Sequence, residues 1–169
     1  MAKIQMVRID SRLIHGQVIT KWLRQTNANR IVIINDALAN DDFMKDIYEM
    51  AAPSNISVDI YSIDYAANYW KENEMGEGNL FILFKDIKTV YEVIEKGLPI
   101  NEIQIGGLGS GPEKTFVFGP IAFDDEDYNM LDDLQKKDCY IYLHQVPEEP
   151  KMELKKAFEK YKSATSKKL

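Results

Sequence analysis

Two runs in the chain, Ile31-Val32-Ile33-Ile34 and Leu80-Phe81-Ile82-Leu83-Phe84, are apolar at every position. A strand turns successive side chains to opposite faces, so a run with no polar position needs cover on both. Such runs alternate here with longer helical patterns, which is the signature of a mostly parallel sheet flanked by helices. The other short candidates are Ile4 to Ile9, Val58 to Ile63, Ile103-Gln104-Ile105, Thr115 to Phe118 and Cys139 to Leu143. The expectation is one doubly wound α/β domain, residues 1–169, with about seven strands and helices on both faces. Its 169 residues suit a single core.

Between these runs, helical spacing places Val18, Trp22 and Leu23 together, and Phe43, Ile47 and Met50 on one face of a helix from about Asp41 to Ala52. Further helices are predicted between Tyr65 and Lys71, between Ile87 and Lys96, and over Asp124 to Lys137, where Tyr128, Leu131 and Leu134 form a stripe. Pro150 is expected to open a last helix carrying Met152, Leu154, Ala157, Phe158 and Tyr161. The lysines from Lys155-Lys156 to Lys167-Lys168 read as its solvated side.

The chain carries 21 Lys and Arg against 27 Asp and Glu, a net charge of −6. That balance argues against nucleic-acid binding, which needs a basic surface. The N-terminus lacks a signal-peptide core, and no apolar run is long enough to cross a bilayer. A lone cysteine, Cys139, sits in the apolar context of a strand and reads as core in a reducing cytoplasm.

The chemistry concentrates in Arg8-Ile9-Asp10-Ser11-Arg12-Leu13-Ile14-His15-Gly16-Gln17-Val18, after the first apolar run and before the first helical pattern. In α/β proteins that junction, beyond a strand's carboxyl end and facing a helix N-terminus, is where anionic ligands bind. Imidazole is a nucleophile near neutral pH, and arginine neutralises a moving phosphoryl group in planar, bidentate form. Arg8 and Arg12 are spaced to reach such a group on His15. The amides of Gly16 and Gln17 add donors, and Asp10 is placed to accept a hydrogen bond from the ring or to hold an arginine.

Other candidates read more simply. His144 is a strand-end histidine with no ligand spacing around it. Gly106-Gly107-Leu108-Gly109-Ser110-Gly111-Pro112 lacks the Gly-Lys-Ser/Thr ending of a phosphate loop and suits a connection or the rim of a site. Asp124-Asp125-Glu126-Asp127 has the composition of a helix's first turn. Asp36 ends the second strand on the same edge as His15, and Asn40 or Asp41 fits a helix cap.

The histidine segment closely resembles the phosphorylation-site segment of the IIB component of mannose/fructose/sorbose-type sugar phosphotransferase systems. Asn35-Asp36, Ala39-Asn40-Asp41, Ala51-Ala52-Pro53, Phe84-Lys85-Asp86, Ile105-Gly106-Gly107 and Gln145-Val146-Pro147 follow in the family's order, so the resemblance runs from about residue 4 to residue 154. It implies a cytoplasmic phosphotransferase subunit without metal or cofactor. Phosphorylated at Nδ1, His15 would take its phosphoryl group from a IIA protein and pass it to a sugar entering through membrane IIC and IID components. The resemblance puts Arg8, Arg12, Gly16 and Gln17 at the phosphoryl group, with Asp10 and Asp36 in support. Two departures stand out: Ser11, where many members have an acid, and Glu148-Glu149-Pro150, where an aspartate and a short turn are usual. They leave room for a non-transferring regulatory or sugar-phosphate-binding relative. An oxidoreductase using the glycine loop is a weaker reading. The sugar is not legible, and Tyr69-Trp70 are candidates for a homodimer contact.

Overall fold

The computed structural model describes residues 1–166. From the N-terminus the chain forms β1 (Lys3–Asp10), α1 (Gly16–Thr26), β2 (Arg30–Ile34), α2 (Asp36–Ala39), α3 (Asp42–Ala51), β3 (Ser57–Tyr61) and α4 (Ile63–Asn73). Next come β4 (Asn79–Phe84), α5 (Ile87–Glu95), β5 (Glu102–Gly107), β6 (Thr115–Phe118) and β7 (Ile121–Phe123). The chain finishes with α6 (Asp125–Lys136), β8 (Tyr140–Leu143), β9 (Met152–Glu153) and α7 (Leu154–Ser166).

The main sheet has seven strands in the order β3-β2-β4-β1-β5-β8-β9, parallel except for the edge strand β9. The expected architecture is therefore present, with one exchange of membership. Thr115–Phe118 is a strand, but it pairs antiparallel with Ile121–Phe123 in a separate hairpin. The seventh place is taken by Met152–Glu153, paired with Leu143 and Tyr142. That pairing also corrects the reading of Pro150: the extended segment after it delays the last helix to Leu154. Lys167 and Lys168 lie outside the described residues.

The all-apolar runs divide their side chains between two cores. Ile31, Ile33, Phe81 and Leu83 pack with Leu13, Ile19, Trp22 and Leu23 on the α1 side. Val32, Ile34, Leu80, Ile82 and Phe84 face Ala66, Val90, Leu131 and Phe158, from α4 to α7. Cys139 belongs to the second core, and burial pushes its thiol up to about 11. The acidic run Asp124-Asp127 forms a reciprocal capping box at the start of α6, tied down by Lys114.

The expected apolar face of α3 is present, and the expectation for Tyr69 and Trp70 is corrected. Phe43, Ile47 and Met50 do share a face of α3, but it points to solvent, whereas Met44 and Tyr48 contact the core. Tyr69 and Trp70 are half-buried and pack on the second core, so they do not offer the exposed aromatic pair expected of a dimer contact.

Chain order positions the site. From β1 the chain runs over β4 to β2, whereas from β5 it leaves towards β8. The connections therefore diverge between β1 and β5, and a crevice opens at the carboxyl ends of these two strands.

Candidate functional site

Five donor contacts converge on one carboxylate in that crevice. Asp10, the last residue of β1, is fully buried. Its Oδ1 accepts from the Arg12 amide at 3.1 Å and from Arg12 Nε at 3.2 Å. Its Oδ2 accepts from Arg8 Nη2 at 3.2 Å and Arg12 Nη2 at 3.3 Å, and lies 3.1 Å from His15 Nε2. Burial alone would raise the Asp10 carboxyl, but hydrogen bonds from Arg12 and His15, with the charge of Arg8, outweigh it and hold the carboxyl below its ordinary range.

The chain reaches this geometry through a tight turn. Leu13 donates its amide to the Asp10 carbonyl at 2.9 Å, and Ser11 donates to Gly107 O at 3.0 Å. Leu13 adopts a left-handed conformation, φ 55°, which its wholly buried side chain stabilises by anchoring the turn in the α1-side core. His15 then occupies the N-cap position of α1 in extended conformation, and its side chain makes no capping hydrogen bond. At α2 to α6, by contrast, an Asn, Asp or Ser side chain fills that role. The first turn of α1 contains no acid, so its amides and dipole face the crevice uncompensated. Gly16 and Gln17 are exposed there.

The two arginines differ. Arg12 has 45% of its side chain exposed while its Nε and Nη2 hold Asp10. Arg8 is wholly buried. Its Nη1 donates to Gln104 Oε1 and to His144 O at 3.0 Å, and its Nη2 donates to Asp10 and to Gln145 O at 3.0 Å. Desolvation lowers the Arg8 pKa, with Asp10 opposing that effect. The residue expected at the phosphoryl group thus lies beneath the site, its Nη1 and Nη2 taken up by carbonyl and carboxylate oxygens while its buried Nε has no partner among the described residues. Asp36 is also apart from the network: its Oδ1 accepts from the Ile63 amide at 2.8 Å, joining the end of β2 to the start of α4.

Several site-building residues escaped the sequence reading. Gln104 sits opposite Arg8 in the sheet, and Trp22 donates from its indole to Gln145 O at 2.9 Å while its ring lies 5.6 Å from the Arg8 guanidinium. His144 enters by its carbonyl, and its ring packs edge-on against Trp22. Gly106 and Gly107 form the floor: a Cβ at 106 would stand 2.0 Å from Arg8 Cζ, and one at 107 would stand 2.9 Å from Asp10 Oδ1. One signal was available, the polar Gln104 between two isoleucines of a buried strand. The glycine run reads in the sequence as a connection or the rim of a site, and its first two residues stand closer in, against Arg8 and Asp10. Of the departures noted in the sequence, Glu148 forms a surface ion pair with Lys21 of α1 at 3.1 Å.

Fold and site together define an α/β protein with a carboxylate-held histidine at the switch point of a parallel sheet. Residues 4–168 match the family of PTS system sorbose subfamily IIB components, and the chain belongs to that family of phosphotransfer components. The sorbose-specific EIIB component of Klebsiella pneumoniae is 30% identical over 152 residues, which are 90% of this chain and 93% of that protein. The crystal structure of manxB from Thermoanaerobacter tengcongensis superposes with a TM-score of 0.90 at 39% identity, covering 95% of this chain and 98% of the other. The IIBSor domain of the Klebsiella pneumoniae sorbose permease gives 0.87 at 29% identity, with coverage of 93% and 96%. No helix among the described residues is long and apolar enough to cross a membrane.

Proposed function

We propose that this chain is a phosphoryl carrier in sugar uptake, accepting the group on His15 Nδ1 from a phosphohistidine of a IIA protein and delivering it to a sugar hydroxyl at membrane IIC and IID components. The observation that carries the reading is the contact between Asp10 and His15 Nε2. A carboxylate fixes Nε2 as the protonated nitrogen, so Nδ1 holds the lone pair of the neutral ring. In the first transfer the His15 Nδ1–P bond forms as the donor's N–P bond breaks, the donor ring keeping the electron pair. The substituted ring gains positive charge, which Asp10 stabilises. In the second transfer the N–P bond breaks as a sugar oxygen attacks, Nδ1 keeping the electron pair, and the hydroxyl proton passes to solvent.

Arg12 and the amides of Gly16 and Gln17 take the phosphoryl oxygens, since they are the donors at the open rim. Arg8 acts as a positioning residue: Gln104 and the carbonyls of residues 144 and 145 hold it, and it holds Asp10. Asp36 serves the fold at the end of β2. Work in a cytoplasm, beside the membrane complex, follows from the proposed partners.

Phosphorus NMR after incubation with phospho-IIA tests the reading. The expected result is an acid-labile Nδ1-phosphohistidine signal that His15→Ala abolishes. Normal incorporation by His15→Ala, or a signal from the Nε2 isomer, would overturn it.

A further inference from the structure

The outward face of α3 is unlike the rest of the surface. Phe43, Ile47 and Met50 are 72%, 40% and 85% exposed, and their spacing aligns them along one side of the helix. Beside this stripe runs a second exposed line, Asp42, Asp46 and Glu49, at the same spacing. No residue of α3 is buried, so the helix contributes little to the core for the apolar side chains it carries. An aligned apolar row with charges on one flank is the pattern by which helices pack on helices.

The charge selects the occupant. A second copy of the chain would bring one acidic line against another, and an anionic bilayer would meet the same repulsion. Cytoplasmic segments of membrane proteins, by contrast, carry an excess of lysine and arginine next to their spans. We infer that this face docks a basic amphipathic helix of the membrane-embedded partner, an assignment that rests on the carrier reading above. The apolar row buries against that helix, while Asp46 and Glu49 pair with its cations. His15 stands at the β1–β5 crevice, held by Asp10, and not on the outward face of α3. Docking through α3 therefore leaves the phosphohistidine free to meet donor and acceptor in turn.

The test measures binding of the full chain to the IIC–IID pair of its own organism, held in nanodiscs, with empty nanodiscs of the same lipid as reference. Two double variants are compared, Phe43→Ser with Met50→Ser and Asp46→Lys with Glu49→Lys, each checked for folding by circular dichroism. Both are expected to weaken binding by at least about thirtyfold, the cost of losing one interface hot spot. Charge reversal should also flatten the salt dependence, and uptake of phosphoryl from phospho-IIA should stay at the wild-type rate. Unchanged binding in both variants overturns the inference. So do equal binding to empty nanodiscs, a loss confined to phospho-IIA uptake, or a loss confined to self-association by sedimentation. A wild-type chain that binds the pair but takes no phosphoryl group would sink the carrier reading and leave the docking face standing.

Discussion

At the scale of single residues, the site is a stack of close contacts under one carboxylate. Gly106 and Gly16 are both glycines, yet the structure needs them for different reasons. Gly106 is a matter of space, because a Cβ there collides with Arg8. Gly16 is a matter of backbone, with φ +48° and nothing within 4 Å of the point where a Cβ would stand. Gly106→Ala is therefore expected to cost about 1–3 kcal/mol in denaturant unfolding and to slow phosphoryl uptake, since Arg8 must shift and take Asp10 with it. Gly16→Ala should cost nearer 1 kcal/mol, from conformational strain alone. Asp10 makes a pH prediction. Its folded carboxyl is depressed, so its contribution to stability is full above the ordinary carboxylate range of about 4 and is lost as the pH falls through the folded value. Asp10→Asn should destabilise the protein by about 3 kcal/mol at neutral pH, because two arginines lose a buried counter-charge. The gap between variant and wild type should narrow in unfolding curves recorded at progressively lower pH.

The element that matters most is α1. Its first turn has no acid and no side-chain cap, which leaves a short helix less stable than its neighbours' chemistry would make it. In the proposed carrier cycle, the incoming phosphoryl group supplies the missing negative charge. Gln17→Glu is thus expected to act in opposite directions, raising the stability of the unphosphorylated protein by about 0.3–1 kcal/mol while lowering phosphohistidine occupancy. Thermal unfolding and phosphorus NMR on the same sample separate the two effects. Unchanged phosphohistidine occupancy would argue that the helix end is not used for the anion. At the same scale, β9 shows how a two-residue pairing moved a helix start that proline alone had suggested.

Over the whole molecule, two cores lie on the two faces of one sheet, and their shared strands make them interdependent. Phe81 on β4 is fully buried in the α1-side core, which anchors the turn carrying His15. Phe81→Ala is expected to destabilise the protein by about 3–5 kcal/mol and to loosen the site with it. Hydrogen exchange should show this as faster exchange in the turn and α1. The sheet order has a consequence for function too. Because β4 inserts between β2 and β1, the connection after β1 runs to one side and that after β5 to the other, which creates the crevice where Arg8, Asp10, Gly106 and Gly107 meet.

Local pattern was enough for most of this. The all-apolar runs specified two-faced strands, and the helical spacings found the helices, because burial on both faces leaves a continuous mark on the sequence. His15, Arg12 and Asp10 were legible together, since they fall within six residues and one turn brings them into contact. What contiguity does not encode had to come from the fold. Arg8 became a buried support only because Gln104 and the carbonyls of residues 144 and 145 close over it, nearly a hundred residues or more away in the chain. Likewise, Thr115–Phe118 left the main sheet, and the Phe43 stripe turned outward. Periodicity reports that a helix has two faces, but only the packed structure decides which of them meets the core.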